Sequence, residues 1–355
     1  MRISLHGLAR AISIVTITGI ISCETKKSDT VNQQQLKNEL SKINALLHDT
    51  AFASSMAVGQ EASYYASQGQ PAGEFFAGPD SLIKKSLKEE KIAINLAGFY
   101  ALECGIGALM AQKGGTPVEW LKKIADQSID SSDALLLNRF ANATWKISQP
   151  FRSLERITRD NFIVARLLSA EEIKKDAEQV NAAAVKLLDS LNGKDAKEFQ
   201  LETIGRLLRS KVFAAEMAKH MEAAYYRGQN KPVPPFLSAK EDTASVTKSA
   251  RSEKIAINLA GFYALECGLN YLSEARQQLP SAILKEILAD SLPPKDRELL
   301  MRFANATWKA SQPFRSLDRI TRPVFMPYDL LPEDEKVKDW IQIKSAANKL
   351  QEAMK

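Results

Sequence analysis

From residue 33 onward, apolar positions return every three to four residues, the spacing that puts them on one face of an α-helix. No stretch outside the N-terminal leader alternates convincingly as a half-buried strand does. The pattern predicts a helical stretch over 33–67, ended by Gly69 and Pro71, and a second over 86–113, stopped by Gly114 and Gly115. Two more follow over 117–127 and 133–148, the latter with Ser131, Ser132 and Asp133 as capping residues. Pro150 favours a fresh helix over 149–161, and a last one spans 170–191 before Asn192 and Gly193. Residues 92–102 are apolar on every side, which predicts a buried central helix. The expected fold class is all-α, as helical bundles.

The pattern is written twice. EKIAINLAGFYALECG at 90–105 recurs at 253–268, a spacing of 163 residues. At the same spacing RFANATWK (139–146), SQPFRSL (148–154) and RITR (156–159) recur at 302–309, 311–317 and 319–322. Upstream, Tyr64 and Tyr65 match Tyr225 and Tyr226 after a slip of two residues. A period this long makes each copy domain-sized, far beyond the small helical solenoid repeats. The expected organisation is a leader over 1–22, a polar tether over 23–33, and repeat units over 34–192 and 195–355. About five to six helices form each unit. Packing about a pseudo-twofold axis is the simplest arrangement, because duplicated units often reproduce an isologous dimer; two bundles side by side are the alternative.

Small residues Ala93, Ala97, Ala101 and Cys104 line one stripe of the central helix, copied as Ala256, Ala260, Ala264 and Cys267. If the copies approach there, Cys104 and Cys267 face each other across the axis and could form a disulfide in an exported compartment. The other reading makes them two separate buried cysteines acting as small hydrophobes. Trp145, Trp308, Phe151 and Phe314 read as core anchors. Loop aromatics Phe75, Phe76 and Phe236 are weak candidates for contact residues.

Residues 108–134 and 271–297 have drifted apart, yet polar identities persist elsewhere between the copies. Glu103 and Glu266 sit in apolar helices and need cationic partners or donors, expected from Arg139 or Arg152 of the same copy and their equivalents. With Asn95, Asn142, Asn258 and Asn305 they form a candidate structural polar network. Arg139, Asn142 and Lys146 share a helix face; Arg152, Arg156 and Arg159 form a second basic stripe. Arg139, Lys146, Arg152 and Arg156, with Arg302, Lys309, Arg315 and Arg319, are therefore candidate anion- or partner-binding residues.

Composition narrows the chemistry. The 355 residues are 45% hydrophobic and 25% charged, which excludes a disordered chain; three cysteines exclude a disulfide-built scaffold. Three histidines leave little for histidine catalysis or metal binding, and no catalytic or metal-binding motif is present. No cofactor is expected. The net charge of +6 is a mild basic bias without a nucleic-acid signature. A carboxylate enzyme built on Glu103 and Glu266 is a remote alternative, since two carboxylates without supporting motifs rarely suffice.

Residues 1–22 carry Arg2 and Arg10 without an acid, then the apolar run 11–22, then Cys23. Twelve helical residues span about 18 Å, short of a hydrocarbon core of about 30 Å, so the run reads as a signal-peptide core. No other stretch is expected to span a bilayer. Gly19-Ile20-Ile21-Ser22-Cys23 resembles the lipobox of bacterial lipoproteins, although Ile21 is bulkier than is usual there. The resemblance covers only the first 23 residues and implies that Cys23 is lipidated and becomes the mature N-terminus. It points to the bacterial cell envelope and a membrane partner reached through the lipid. The expected function is a lipid-anchored, non-catalytic interaction or scaffold module with two equivalent surfaces, monomeric as a pseudo-dimer. The alternative is a binding protein for an anionic envelope ligand: a glycan, a lipid head group or an acidic peptide. A Cys23→Ser variant should leave the membrane fraction or stall as uncleaved precursor. Cell fractionation checks this, and unchanged processing with unchanged membrane association would refute it.

Overall fold

The computed structural model describes residues 32–71, 73, 79–193, 196–235, 240 and 243–355. The leader, Cys23 and the tether through residue 31 lie outside the described residues, as do Phe75, Phe76 and Phe236. The stretch expected over 33–67 is two helices, α1 (Gln33–His48) and α2 (Thr50–Ser67). Asp49 between them is extended, and its carboxylate accepts the amides of Ala51 and Phe52, so a local N-cap outcompetes a continuous helix. The stretch over 86–113 is α3 (Leu87–Asn95) and α4 (Ala97–Lys113), which meet in a tight turn at Leu96. Gly114 and Gly115 then take positive φ of 75° and 86°, which ends the helix. A capping box between Thr116 and Glu119, with Pro117 in the first turn, starts α5 (Pro117–Ala125).

Next, α6 (Ser131–Arg152) runs straight through the expected break at Pro150. The proline leaves the Lys146 carbonyl without its helical donor. Burial of Pro150 and Phe151 against the rest of the core outweighs that loss. The capping residue is Asp130, and Asp133 is instead buried and paired with Lys113 at 2.6 Å. Beyond α6, residues expected to be helical are the 3-10 turns Leu154–Thr158 and Ala165–Leu167, followed by α7 (Ala170–Ser190). The second half supplies α8 (Lys197–Leu208), α9 (Lys211–Gly228), α10 (Ala250–Asn258) and α11 (Ala260–Ala275). After them come α12 (Pro280–Leu288), α13 (Pro294–Arg315), 3-10 turns Leu317–Thr321 and Tyr328–Leu330, and α14 (Glu333–Met354).

The protein is mostly helical, with one small sheet the periodicity did not predict. Strands β1 (Leu82–Ser86) and β2 (Ser245–Ser249) pair antiparallel, with Lys84 opposite Thr247. Two five-residue strands are marginal alone; here lysines on them tie the ladder to the core. Lys85 donates to the Phe314 and Arg315 carbonyls at 2.6 and 3.0 Å, at the negative end of α13. Lys248 does the same for the Phe151 carbonyl near the end of α6. Lys85 also pairs with Glu253 at 2.6 Å, and Lys248 with Glu90 at 3.0 Å.

Helices α4, α6, α11 and α13 form the centre, each packed on helices from both halves of the sequence. Around them α2 lies on α14 and α10, while α9 lies on α7 and α3. Val31–Lys355 accordingly forms one compact unit and does not divide into two bundles near residue 193. Helix α4 is buried on every side from Ala97 to Met110. Against expectation, Leu87–Lys113 is long and apolar enough to cross a bilayer, but neighbouring helices cover its surface, as for a core helix.

Equivalent phenylalanines, not cysteines, meet between the halves. Phe140 stacks on Phe303 with ring centroids 3.8 Å apart, and Phe151 on Phe314 at 4.5 Å. Cys104 and Cys267 are both buried free thiols, each held in a different polar cluster described below. The small-residue stripe permits close helix packing without bringing the two sulfurs together. Trp145 and Trp308 pack on the core at partly buried positions. Because each half lacks its own partners for its first helices, chains cut at residues 193–196 should not fold separately. Mixing the two pieces should restore the helical circular-dichroism signal; two independently folded pieces would refute this arrangement.

Candidate functional site: two buried polar clusters and two arginine groups

Glu103 on α4 meets Lys309 on α13 at 2.5 Å, with the side chains 4% and 0% exposed. Glu266 on α11 meets Lys146 on α6, and there both side chains are wholly buried. Each pair joins one half of the sequence to the other. This corrects the expected pairing of each glutamate with an arginine of its own copy. The reason is geometric: α4 packs against α13 as well as α6, so the lysine of the opposite helix reaches the carboxylate first. Removing one partner of such a pair typically costs about 3–5 kcal/mol, because the other charge stays buried alone.

The cysteines complete the same clusters. The Cys104 thiol lies 3.2 Å from Glu103 Oε2 and 3.7 Å from Lys309 Nζ; Cys267 lies 3.1 Å from Glu266 Oε2 and 3.8 Å from Lys146 Nζ. Burial, reinforced by the adjacent glutamate, pushes both thiols well above the usual range, so they remain protonated and unreactive. Burial by itself would lower the Lys309 ammonium, but the Cys104 and Glu103 groups around it hold it above its ordinary value.

Two aspartates that sequence reasoning missed cover the clusters. Asn305 donates to Asp339 at 3.3 Å, and Asn142 stands in the same relation to Asp176. Burial pushes Asp339 up to about 8, against the opposing Asn305 hydrogen bond and Lys309 charge. Burial, helped by Glu172, pushes Asp176 up to about 7 against Lys146 and Arg139. Both aspartates recur at the 163-residue spacing, a signal that could have found them. Asn95 and Asn258 do not join the network; each bonds back to its own helix, at Lys91 and Lys254.

The basic stripes separate into two kinds. Arg139 is buried, donates to the Ala165 carbonyl at 2.8 Å and pairs with Glu274 at 3.3 Å. Arg302 is buried, pairs with Glu298 at 2.6 Å and Asp329 at 2.5 Å, and stacks over Tyr328. These two arginines and both lysines are taken up by internal carboxylates. By contrast, the side chains of Arg152, Arg159, Arg315 and Arg322 make no hydrogen bond or ion pair among the described residues, and all four are exposed. Arg156 and Arg319 are fixed beside them by bonds to Gln149 and Gln312 at 3.2 and 3.0 Å. Partial burial, then the charges of neighbouring arginines, lowers Arg156 and Arg319 to about 10. The acid available to neutralise the second group, Asp318, is paired with Lys211 instead.

Among the described residues no cluster of three His, Cys, Asp or Glu side chains could hold a metal ion. No protein-family model, curated protein or solved structure matches this chain.

The raised aspartates carry a sign for stability. Each binds its proton more tightly folded than unfolded, so the unfolded state loses protons first as pH rises. Their contribution is complete below the ordinary aspartate range near pH 4 and is lost as pH climbs through about 7 for Asp176 and about 8 for Asp339. Stability should fall across that window, by at most about 1.4 kcal/mol per pH unit for each group. Urea melts of an Asp176→Asn, Asp339→Asn double variant should show a flatter profile and a gain over the parent at pH 8. Identical slopes would refute the assignment.

Proposed function

We propose that the chain is a duplicated, lipid-anchored envelope protein that binds an anionic partner without catalysis, through two like basic surfaces. The duplication is read as two copies interlocked about a pseudo-twofold axis. Supporting that reading, Lys84 faces Thr247 at the centre of the ladder, and Phe140 and Phe151 stack on their own equivalents, each pair 163 residues apart. The ion pairs are reciprocal in the same sense, Glu103 with Lys309 and Lys146 with Glu266. Cys23 supplies the lipid anchor in this reading.

One observation carries the binding function. Of the duplicated cations, Arg139, Lys146 and their equivalents are satisfied inside the protein. Arg152, Arg156, Arg159 and their equivalents stand together at the surface with no close carboxylate of their own to satisfy them. Like charges held close repel, so such a group gains from an external anion, and arginine forks match phosphate and carboxylate oxygens. The stacked Phe151 and Phe314 set Arg152 and Arg315, the next residues, on either side of the axis. An anionic glycan, lipid head group or acidic peptide fits this chemistry. The carboxylate-enzyme reading loses support because Glu103 and Glu266 are each bound to a lysine.

Replacing Arg152, Arg156, Arg315 and Arg319 by Ala should leave the melting temperature within a few degrees and abolish capture of the partner from envelope extracts. Retained capture would refute the surface. A large fall in melting temperature would assign these arginines to the fold instead.

A further inference from the structure

The two buried glutamates end differently. Glu266 Oε1 accepts Nδ2 of Asn270 and the backbone amide of Ala165, both at 2.9 Å, and the residue is sealed from solvent. At the 163-residue spacing the counterparts of Asn270 and Ala165 are Gly107 and Tyr328. Glu103 Oε2 takes Lys309 and Cys104, whereas Oε1 has no partner among the described residues. A narrow crevice opens beside that carboxylate, walled by Ile106, Gly107, Met110, Leu187 and Asp329, with room for little more than a water-sized group.

Gly107 brings further polar atoms to this place. A Cβ there would lie 2.6 Å from Arg302 Nη1 and 3.5 Å from Asp329 Oδ2. Arg302 Nη1 is buried without an acceptor. The crevice thus offers acceptors on Glu103 and Asp329 and a donor on Arg302, where the other cluster contains the side-chain amide of Asn270.

We propose that the crevice beside Glu103 binds a primary carboxamide, the group its counterpart supplies from Asn270. The amide NH2 donates to Glu103 Oε1 and Asp329 Oδ2, and its carbonyl accepts from Arg302 Nη1. A carboxylate would meet two acids there, an ammonium would offer Arg302 no acceptor, and an alcohol has one donor for two acceptors. The apolar walls suit a short carbon stem, as in acetamide or the side chain of Asn or Gln on a peptide. This site is separate from the arginine surfaces and does not rest on their function.

Acetamide titrated into the whole protein, followed by NMR, should give saturable shifts at one site per chain. N,N-dimethylacetamide, without N–H donors, and acetate should not. Gly107→Asn, which supplies the amide internally, should weaken acetamide binding at least tenfold while circular dichroism stays unchanged. Should that variant misfold, Gly107→Ala tests the same point, since its Cβ displaces Arg302 Nη1. Asn270→Gly should open a second site. Absence of saturable binding, equal binding of N,N-dimethylacetamide, or undiminished binding by the folded Gly107 variant would overturn the proposal.

Discussion

Lys146 and Lys309 carry charge into a helical core, where an unpaired ammonium would be prohibitively costly. Each is tolerated because a glutamate from the other half of the chain meets it there. The surrounding order follows from this constraint. The lysine helices α6 and α13 must lie against α11 and α4, which places the four in one centre. With that centre shared, the outer helices have no separate bundle to cover. Helices α2 and α9 therefore cross onto elements of the opposite half, and the short ladder closes over the ends of α6 and α13. A buried pair of this kind is weak evidence for net stability. Its stronger consequence is register, because a shifted helix would leave two charges unmatched on each side.

The same residue types do different work in different surroundings. Arg139 and Arg302 are saturated by carboxylates and a carbonyl. Arg152, Arg156 and Arg159, one turn to three turns further along the same segment, have mainly one another for neighbours. Glu90 acts on Arg152 and Arg156 at longer range, but it is paired with Lys248. The proposed anion-binding role rests on that contrast rather than on the number of basic residues. The clusters show a second contrast, between a glutamate sealed by Asn270 and Ala165 and one left open at Gly107. Under the proposed twofold relation, one copy keeps a closed structural pair and the other has been released for a ligand.

Much of this architecture was legible in the residue pattern. The helical period identified the helical stretches, the identical segments revealed a duplicated sequence, and recurrence of Glu103, Asn142 and Lys146 marked a polar network. Other features were hidden for physical reasons. The break at Asp49 comes from a capping bond that competes with an otherwise continuous apolar stripe. Continuation through Pro150 runs against local preference and depends on Phe151 finding Phe314. The ladder has too little alternation to announce itself, and its lysines find helix ends more than ninety residues away.

What the sequence determined alone was periodicity, duplication and the identity of groups that must be neutralised when buried. Those are properties of single segments, set by side-chain spacing and by the cost of desolvating charge. Only the tertiary structure decided which cation meets which carboxylate, which aromatic pair meets between the halves, and which arginines are left without internal acids. Two identical copies offer every glutamate an equivalent partner within its own copy and in the other. Sequence spacing cannot distinguish those choices; the packing of α4 against α13 and of α11 against α6 does, by bringing one ammonium within bonding distance and leaving the other cations elsewhere.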